Sequence, residues 1–377
     1  MSTLLELRIK ESLLMNYPRQ LLFSFVFTVM QALAACSTAT SNDAANVENT
    51  AAILSAGKKI AQCVNDEETT QTSFSTLRSA PRSNGFIVIA GNAHGAQYTN
   101  QYGNFGANDA INIASASKWA TAVTLLTLVD REEIKLDTTI GEYFPEIDAV
   151  KKSITLRQLL AHTSGIAPRL IRRDTGKGGA QSVARRMLAP KLLAPPGTSF
   201  RYGGSSMQVA GAIAEQITGK NWSALFAERV AGPLGLKTAA WGRPLRGPEV
   251  GREMLGGGLF ISARDFAALI HTLSIGGGDI VSSASIDQMF SDQVGDARID
   301  FAPNAVVTGS SYGLGSWCEG YETVGGACKF VHSAGAWGAY PWIDRTDGTW
   351  GVIFIKSRLN RVVDAERVLI KNIENCL

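Results

Sequence analysis

Several features that would assign this chain to a specific class of protein are missing. Its 377 residues contain no internal repeat, no long run of like charges, no phosphate-cradling glycine loop and no zinc-spaced cysteine pair. No apolar run reaches the roughly 18 residues that a membrane-spanning helix needs. The formal net charge is only +3. Nucleic acid is therefore not expected as a partner, and neither a metal ion nor an organic cofactor is predicted.

Residues 1–36 have the pattern of an export signal. A short apolar run at 21–30 is followed by small residues that lead to Cys36. The stretch Leu33-Ala34-Ala35-Cys36 is similar to a bacterial lipobox, in which the cysteine is lipidated and becomes the mature N-terminus; plain signal cleavage is the alternative. Residues 37–50 are mostly small and polar, as in a flexible tether. We expect an exported, periplasmic or cell-envelope protein that touches a membrane only through this lipid anchor.

The remaining cysteines fit an oxidising compartment. Apart from Cys36 the chain has Cys63, Cys318, Cys328 and Cys376, an even set that allows three pairings. We prefer Cys318–Cys328, whose spacing encloses several glycines as a hairpin would. The second pair, Cys63–Cys376, would tie the first helix of the mature domain to the last. Four free thiols are the alternative, which an export signal makes less favoured.

The most informative stretch is Ala114-Ser115-Ala116-Ser117-Lys118, followed by apolar residues from 119 to 129. Apolar residues fall on nearly every side of this segment, which predicts a buried helix rather than a surface one. Ser115 and Lys118 are three residues apart, so their side chains lie side by side. A solvated lysine does not belong on a buried helix, and the charge therefore needs an explanation.

This spacing suits acyl transfer. A serine hydroxyl becomes a good nucleophile when a neighbouring base takes its proton, and burial together with the helix dipole can prepare a lysine for that task. Amide groups of the first turn could hold the oxyanion of the intermediate. A serine N-cap beside a lysine that reaches solvent is the simpler alternative for an isolated Ser-x-x-Lys pattern.

Strands are predicted at both ends of the chain and helices between them, which suggests one sheet built from both ends. We predict a catalytic domain at 51–377, with an α/β lobe at about 51–145 and 305–377 and an all-α lobe at about 146–304. The predicted strands are at 86–90, 96–102, 329–332, 340–344 and 349–356. The predicted helices outside the Ser115 segment are at 50–65, 154–165, 182–188, 206–218, 222–230, 263–274, 284–291 and 362–375.

Four segments in this order resemble the serine β-lactamase and penicillin-binding-protein superfamily, in particular the class C β-lactamase-related branch that also holds esterases and amidases. They are residues 113–118, 159–166, 196–202 and 256–265, and the resemblance extends from about residue 60 to the C-terminus. It implies a β-lactamase-like (DD-peptidase-like) α+β or α/β fold: a mixed antiparallel sheet, flanking N- and C-terminal helices and an all-α insert.

The resemblance also implies roles for individual residues. Ser115 would be the acylated nucleophile, Lys118 its activating partner and Tyr202 the start of the family's Tyr-x-Asn element. The Asn of that element is absent, because the sequence continues Gly203-Gly204. Without the Asn, recognition of β-lactams and peptides becomes doubtful.

The family's Lys-Thr-Gly element is matched only loosely by residues 332–335. His332 could orient Tyr202 or the substrate, or could be a strand-end histidine held by a backbone carbonyl. Ser333 is grouped with the substrate-binding residues, and Gly335 would allow close substrate approach. Nearby aromatic residues could line an apolar acyl pocket, although core packing explains them equally well; they are Tyr312, Trp317, Trp337, Tyr340 and Trp342.

The sequence thus predicts an exported serine hydrolase that forms an acyl-enzyme with an ester or a small amide, or with a cell-wall-related substrate. A β-lactamase or DD-peptidase with a substituted pocket is the nearer alternative. A catalytically weak envelope protein that binds peptidoglycan or a partner is the more distant one.

Overall fold

The computed structural model describes residues 58–94, 97–168, 179–242, 253–303 and 311–377. The chain divides into two units, Met1–Ala56 and Gly57–Leu377, and the described residues all belong to the second. The predicted signal, the lipobox with Cys36 and the tether lie outside the described residues.

Strands from both ends of the domain form one seven-stranded sheet. The strands of the described chain are β1 (Gly85–Gly91), β2 (Gln97–Gly103), β3 (Ile111–Asn112), β4 (Ser199–Arg201), β5 (Ala240–Trp241), β6 (Leu259–Ile261), β7 (Arg298–Phe301), β8 (Ser311–Tyr312), β9 (Trp317–Glu319), β10 (Phe330–His332), β11 (Ala339–Asp344) and β12 (Trp350–Ile355). The large sheet has the order β2-β1-β12-β11-β10-β9-β8, and each neighbouring pair is antiparallel. Strands β1 and β12, which are not edge strands, are apolar and almost wholly buried, since helices cover both faces.

Two smaller sheets lie outside the large one. Strands β3, β6 and β5 form an antiparallel sheet, and β4 pairs with β7 in parallel. Four of these strands fall between residues 146 and 304, so the lobe that we predicted as all-α is not purely helical. Strands of two to four residues are too short to leave an alternating pattern, which is why the sequence did not indicate them.

The predicted buried helix is Ser117–Asp130, called the central helix below. Every residue from Ser117 to Leu128 is buried, because strands and other helices surround it. The other α-helices of the described chain are residues 58–66, Glu68–Ser79, Ala149–Lys152, Leu156–Leu160, Gly179–Leu188, Ser205–Thr218, Trp222–Phe226, Ala263–Ser274, Ser283–Met289 and Val363–Glu374. None of the helices described is both long and apolar enough to cross a bilayer.

The two ends of the domain meet on one side of the large sheet. The Val363–Glu374 helix, called the closing helix below, packs against the Glu68–Ser79 helix, and a disulfide joins Cys63 to Cys376. A second disulfide joins Cys318 to Cys328. These are the two pairings that the sequence favoured. On the opposite side of the sheet, the Ala263–Ser274 helix packs on β12.

Candidate functional site

Ser115 lies in a tight turn that immediately precedes the central helix. Residues Ala114–Ala116 form a single turn of 3-10 helix, so Ser115 is just before the α-helical segment rather than inside it. Ala114 has a φ of +47°, which is rare for a residue with a side chain and marks local strain. The Oδ1 atom of Asn112 accepts a hydrogen bond from the Ala114 N–H at 3.0 Å and supports this conformation. Ser115 is half-buried, so the residue is not enclosed in the core.

Two serines that neighbour Ser115 hold the turn in place. Ser117 Oγ donates to the Ala114 carbonyl at 2.6 Å and accepts from the Leu259 N–H at 3.0 Å. Ser333 Oγ donates to the Ser115 carbonyl at 3.1 Å. The turn is therefore tied to β6 on one side and to the end of β10 on the other. Ser117 had not been singled out from the sequence, because its partner in β6 lies 142 residues away.

Lys118 is buried beside this turn and has no carboxylate partner among the described residues. Only 2% of the residue is exposed. Its Nζ donates to the Gly256 carbonyl at 2.7 Å and lies 4.5 Å from the centre of the Tyr202 ring. The amine thus has one carbonyl acceptor and an aromatic face, which is a poor environment for a bare charge compared with water. The structure brings Lys118 and Tyr202 together, as the sequence analysis expected.

The glycines at 256 and 257 let a loop come close to the turn. A Cβ at Gly256 would lie 2.9 Å from the Gly204 Cα and 3.5 Å from Lys118 Nζ, and one at Gly257 would lie 3.5 Å from the Ala114 carbonyl carbon. In the sequence, this segment stands out only through the family resemblance. Its contact with Lys118 spans 138 residues of sequence, and no local pattern indicated it.

Tyr202 belongs to a group of packed aromatic rings. It follows β4, and its ring is stacked on Trp317 with a centroid separation of 5.0 Å and an angle of 29°. The rings of Tyr312 and His162 approach its edge at 5.8 Å and 5.0 Å. These contacts fix the ring over Lys118. Two of the aromatic residues considered for an acyl pocket, Tyr312 and Trp317, are therefore nearly fully buried supports of Tyr202.

His162 is a buried imidazole next to this group. Only 2% of it is exposed, it has a φ of +59°, and neither ring nitrogen has a hydrogen-bond partner among the described residues. Burial, reinforced by the positive charge of Lys118, lowers the pKa of His162 well below its ordinary value. The ring is therefore neutral at physiological pH. The sequence does not indicate this contact of His162 with Tyr202, because the two residues lie 40 positions apart.

His332 does not reach the site, which corrects the expectation of a substrate contact. It is fully buried, and its Nε2 lies 3.0 Å from a Glu319 carboxylate oxygen rather than on a backbone carbonyl. Its ring stacks on Tyr340 at 5.1 Å. Burial lowers the pKa of His332, and the Glu319 carboxylate only partly opposes this effect. Successive side chains of a strand point to opposite faces, so Ser333 faces Ser115 and His332 faces away.

Gly335 also has a role different from the expected one. A Cβ there would lie 2.1 Å from the Ile113 carbonyl oxygen. The glycine therefore permits close approach of the Ser115 turn, two residues after Ile113, rather than of a substrate. Ser333 likewise contacts the turn through its hydroxyl and is almost completely buried.

The residue before the position of the missing Asn is closely packed. A Cβ on Gly203 would lie 2.6 Å from the Pro168 Cβ, and Gly204 is the N-cap of the next helix without a side-chain bond. Ser206, two residues beyond the position of the missing Asn, pairs with the Ser164 hydroxyl at 2.9 Å and is buried. No cluster of three or more metal-ligand side chains occurs in the described parts of the chain.

Comparison with known proteins agrees with this geometry. The family model described as Beta-lactamase matches residues 85–373. This chain belongs to the Beta-lactamase family. A β-lactamase candidate from Bacteroides dorei DSM 17855 has a solved structure that superimposes with a TM-score of 0.71 at 27% identity, over 81% of this chain and 98% of that one. The predicted superfamily and the β-lactamase-like fold are both confirmed.

Two curated relatives differ in their described activities. "Penicillin-binding protein 4" of Amycolatopsis lactamdurans is 36% identical over 32% of this chain and 33% of its own length. "Lovastatin esterase" of Penicillium rubens is 24% identical over 50% of this chain and 61% of its own length. The chain thus spans about a third to three fifths of these two relatives. Similarity of this extent supports membership of the Beta-lactamase family and leaves the reaction to be argued from the site.

Proposed function

We propose that the protein is a serine hydrolase that forms an acyl-enzyme at Ser115 and acts on an ester or a small amide. The observation that carries this proposal is the position of Lys118. Lys118 is buried one turn from Ser115 and has no carboxylate partner among the described residues. The Gly256 carbonyl holds its amine against the Tyr202 ring. A buried amine without a carboxylate partner costs the fold stability, whereas an amine next to a serine hydroxyl can take part in proton transfer.

The proposed reaction has two halves. Ser115 Oγ attacks the substrate carbonyl carbon while Lys118 takes the hydroxyl proton, and a tetrahedral oxyanion forms. The Ala116 N–H is bonded to the Ile113 carbonyl inside the turn, so the Ser115 N–H is the turn's candidate donor to the oxyanion. The oxyanion collapses, the bond to the leaving group breaks, and Tyr202 or Lys118 returns a proton to that group. Water then attacks the acyl-enzyme and releases the acid.

The preference for an ester rests on what surrounds Ser115. The family's amide-recognising Asn is replaced by Gly204, and His332 stands in place of the family's lysine but faces away from the site. Both changes remove polar groups that would hold a peptide or a β-lactam. The similarity to a lovastatin esterase supports the same choice. A β-lactamase or DD-peptidase remains the second candidate, favoured by the similarity to a penicillin-binding protein.

Mass spectrometry of the intact protein tests the proposal. The protein is exposed separately to a fluorophosphonate probe, a p-nitrophenyl ester and a penicillin. Adducts from the probe and the ester, both absent in Ser115→Ala, are expected. A lasting penicillin adduct on Ser115 would favour the second candidate. A protein with no adduct at all would instead fit a binding protein of the envelope.

Steady-state hydrolysis of the same ester separates the roles of the two residues. We expect Ser115→Ala and Lys118→Ala each to lower kcat/KM by about 10³-fold or more, because removal of one member of a catalytic unit disables the whole. Near-ultraviolet circular dichroism should show an unchanged fold. Full activity in either variant would refute the mechanism.

We also propose that the protein is exported and lipidated at Cys36. The two disulfides of the described domain support an oxidising compartment, since such bonds are rare in reducing ones. The mass of the N-terminal peptide from a bacterial host tests this proposal. A diacylglyceryl cysteine at 36 is expected, whereas an unmodified N-terminus upstream of it would contradict lipidation.

A further inference from the structure

A cavity of about 600 Å³ lies against the strand that leads into the Ser115 turn. It is distinct from the site above, because Ser115, Lys118 and Tyr202 are not among the residues that line it. We call it the basic cavity. Its charged and aromatic lining consists of Arg82, Phe260, Trp337, Lys356, Arg358 and Arg361.

The cavity has four cationic side chains and no acidic one among the residues that line it. In the described parts of the chain, none of these four side chains forms an ion pair. Lys356 only lies over the Phe105 ring, with Nζ 5.4 Å from its centre. Several other arginines of the domain have carboxylate partners, for example Arg157 with Asp137 and Arg345 with Asp287. Like charges around one cavity repel each other, and a bound anion would relieve that repulsion.

The other polar groups of the lining are already used within the protein. Asn112 accepts from the Ala114 N–H and donates to the Gly257 carbonyl, and Ser357 Oγ donates to the Pro81 carbonyl. The four cationic residues, in contrast, are exposed and therefore accessible to a ligand. Phe260 and the half-exposed Trp337 supply apolar wall beside them. This combination fits an anionic group attached to an apolar or planar body.

The number of cations indicates which anion. One carboxylate carries a single charge and is satisfied by one arginine, whereas a phosphate monoester or a diphosphate carries more charge and at least three terminal oxygens. We propose that the basic cavity binds a ligand through a phosphate monoester or diphosphate group. The proposal is independent of the hydrolase function, because it concerns binding at residues outside that site.

Backbone hydrogen bonds and packing connect the cavity to the Ser115 turn. The Ser357 N–H donates to the Trp337 carbonyl at 3.2 Å, and the Leu359 N–H donates to the Ala336 carbonyl at 3.1 Å. The cationic loop is thereby attached to the segment that follows Gly335, which itself packs on Ile113. A ligand in the cavity would contact the support of the nucleophile turn without touching Ser115.

Calorimetric titration of the whole protein with pyrophosphate in low-salt buffer tests the proposal. We expect saturable binding with one site per chain that weakens as salt is added. Arg358→Gln and Arg361→Gln should each raise the Kd by about tenfold, the loss of one charge-assisted hydrogen bond. Arg131→Gln is the matched control, since Arg131 is exposed at the far end of the central helix. This variant should bind pyrophosphate as tightly as the wild type does.

Two further arms identify the source of the phosphate group. Glycerol 3-phosphate represents a soluble ligand, and vesicles that contain phosphatidic acid represent a lipid headgroup. Binding of either one supports the proposal if Arg358→Gln and Arg361→Gln weaken it as they weaken pyrophosphate binding. Trp337→Phe should remove any change in fluorescence on binding. The proposal is overturned if the wild type binds none of the three, if acetate binds as tightly as pyrophosphate, or if the arginine variants keep the wild-type Kd.

Discussion

At the residue scale, the contact between Gly335 and Ile113 fixes the Ser115 turn against the end of the sheet. We predict that Gly335→Ala lowers kcat/KM for the ester about tenfold or more, because its Cβ would lie 2.1 Å from the Ile113 oxygen and would displace the turn. Stability should fall by roughly 1 to 3 kcal/mol from the same overlap. Ester hydrolysis and thermal unfolding measure the two effects.

Gly325→Ala is the matched control for this substitution. Gly325 has a φ of +76°, but no atom that a Cβ would meet lies within 4 Å. An alanine there strains the backbone without moving the Ser115 turn, so activity should be retained while stability falls by roughly 1 kcal/mol. Equal activity of the Gly335→Ala and Gly325→Ala variants would contradict our account of Gly335.

At the scale of elements, the sequence alone was sufficient to predict the helix and the strands whose residues are buried without interruption. The central helix is apolar on nearly all sides, and this pattern predicted both its burial and the anomaly of Lys118. Strands β1 and β12 were predicted for the same reason. The two-residue strands β3 and β5 could not be found, because they exist only through pairing with β6.

Partners that are distant in sequence explain most of what was missed at the site. Lys118 bonds to a carbonyl 138 residues away, and Ser117 to an amide 142 residues away. Strand geometry, in contrast, was available from the sequence alone. Once Ser333 is assigned to the face of the site, alternation requires that His332 point to the other face. The error at His332 was therefore avoidable, whereas the contact of Gly256 with Lys118 was not.

At the scale of the whole molecule, the closing helix carries a carboxyl group that makes stability depend on pH. Glu366 is completely buried, and neither of its carboxylate oxygens has a hydrogen-bond partner in the described chain. Burial raises the pKa of Glu366 from 4.5 to about 8. Glu374, on the same helix, also has its pKa raised to about 8, first by burial and then by Asp344 and Asp347.

The sign of the effect follows from proton binding. Between pH 4.5 and 8 the folded protein keeps the Glu366 proton, while the unfolded chain releases it. The contribution of Glu366 to the free energy of unfolding is therefore fully present below pH 4.5 and is lost as the pH rises to about 8. The loss in the free energy of unfolding is up to about 5 kcal/mol, because each unit of pKa shift corresponds to about 1.4 kcal/mol, and Glu374 adds to it.

We predict that Glu366→Gln reduces the decline in the free energy of unfolding between pH 5 and pH 8. The amide keeps the size of the side chain and cannot ionise, so the variant should be more stable than the wild type at pH 8 and similar to it at pH 5. Urea unfolding at the two pH values measures the difference. Glu68→Gln, an exposed change on the helix that packs against the closing helix, should leave the decline unaltered. A decline in Glu366→Gln as steep as that of the wild type would mean that Glu366 is already ionised in the folded protein.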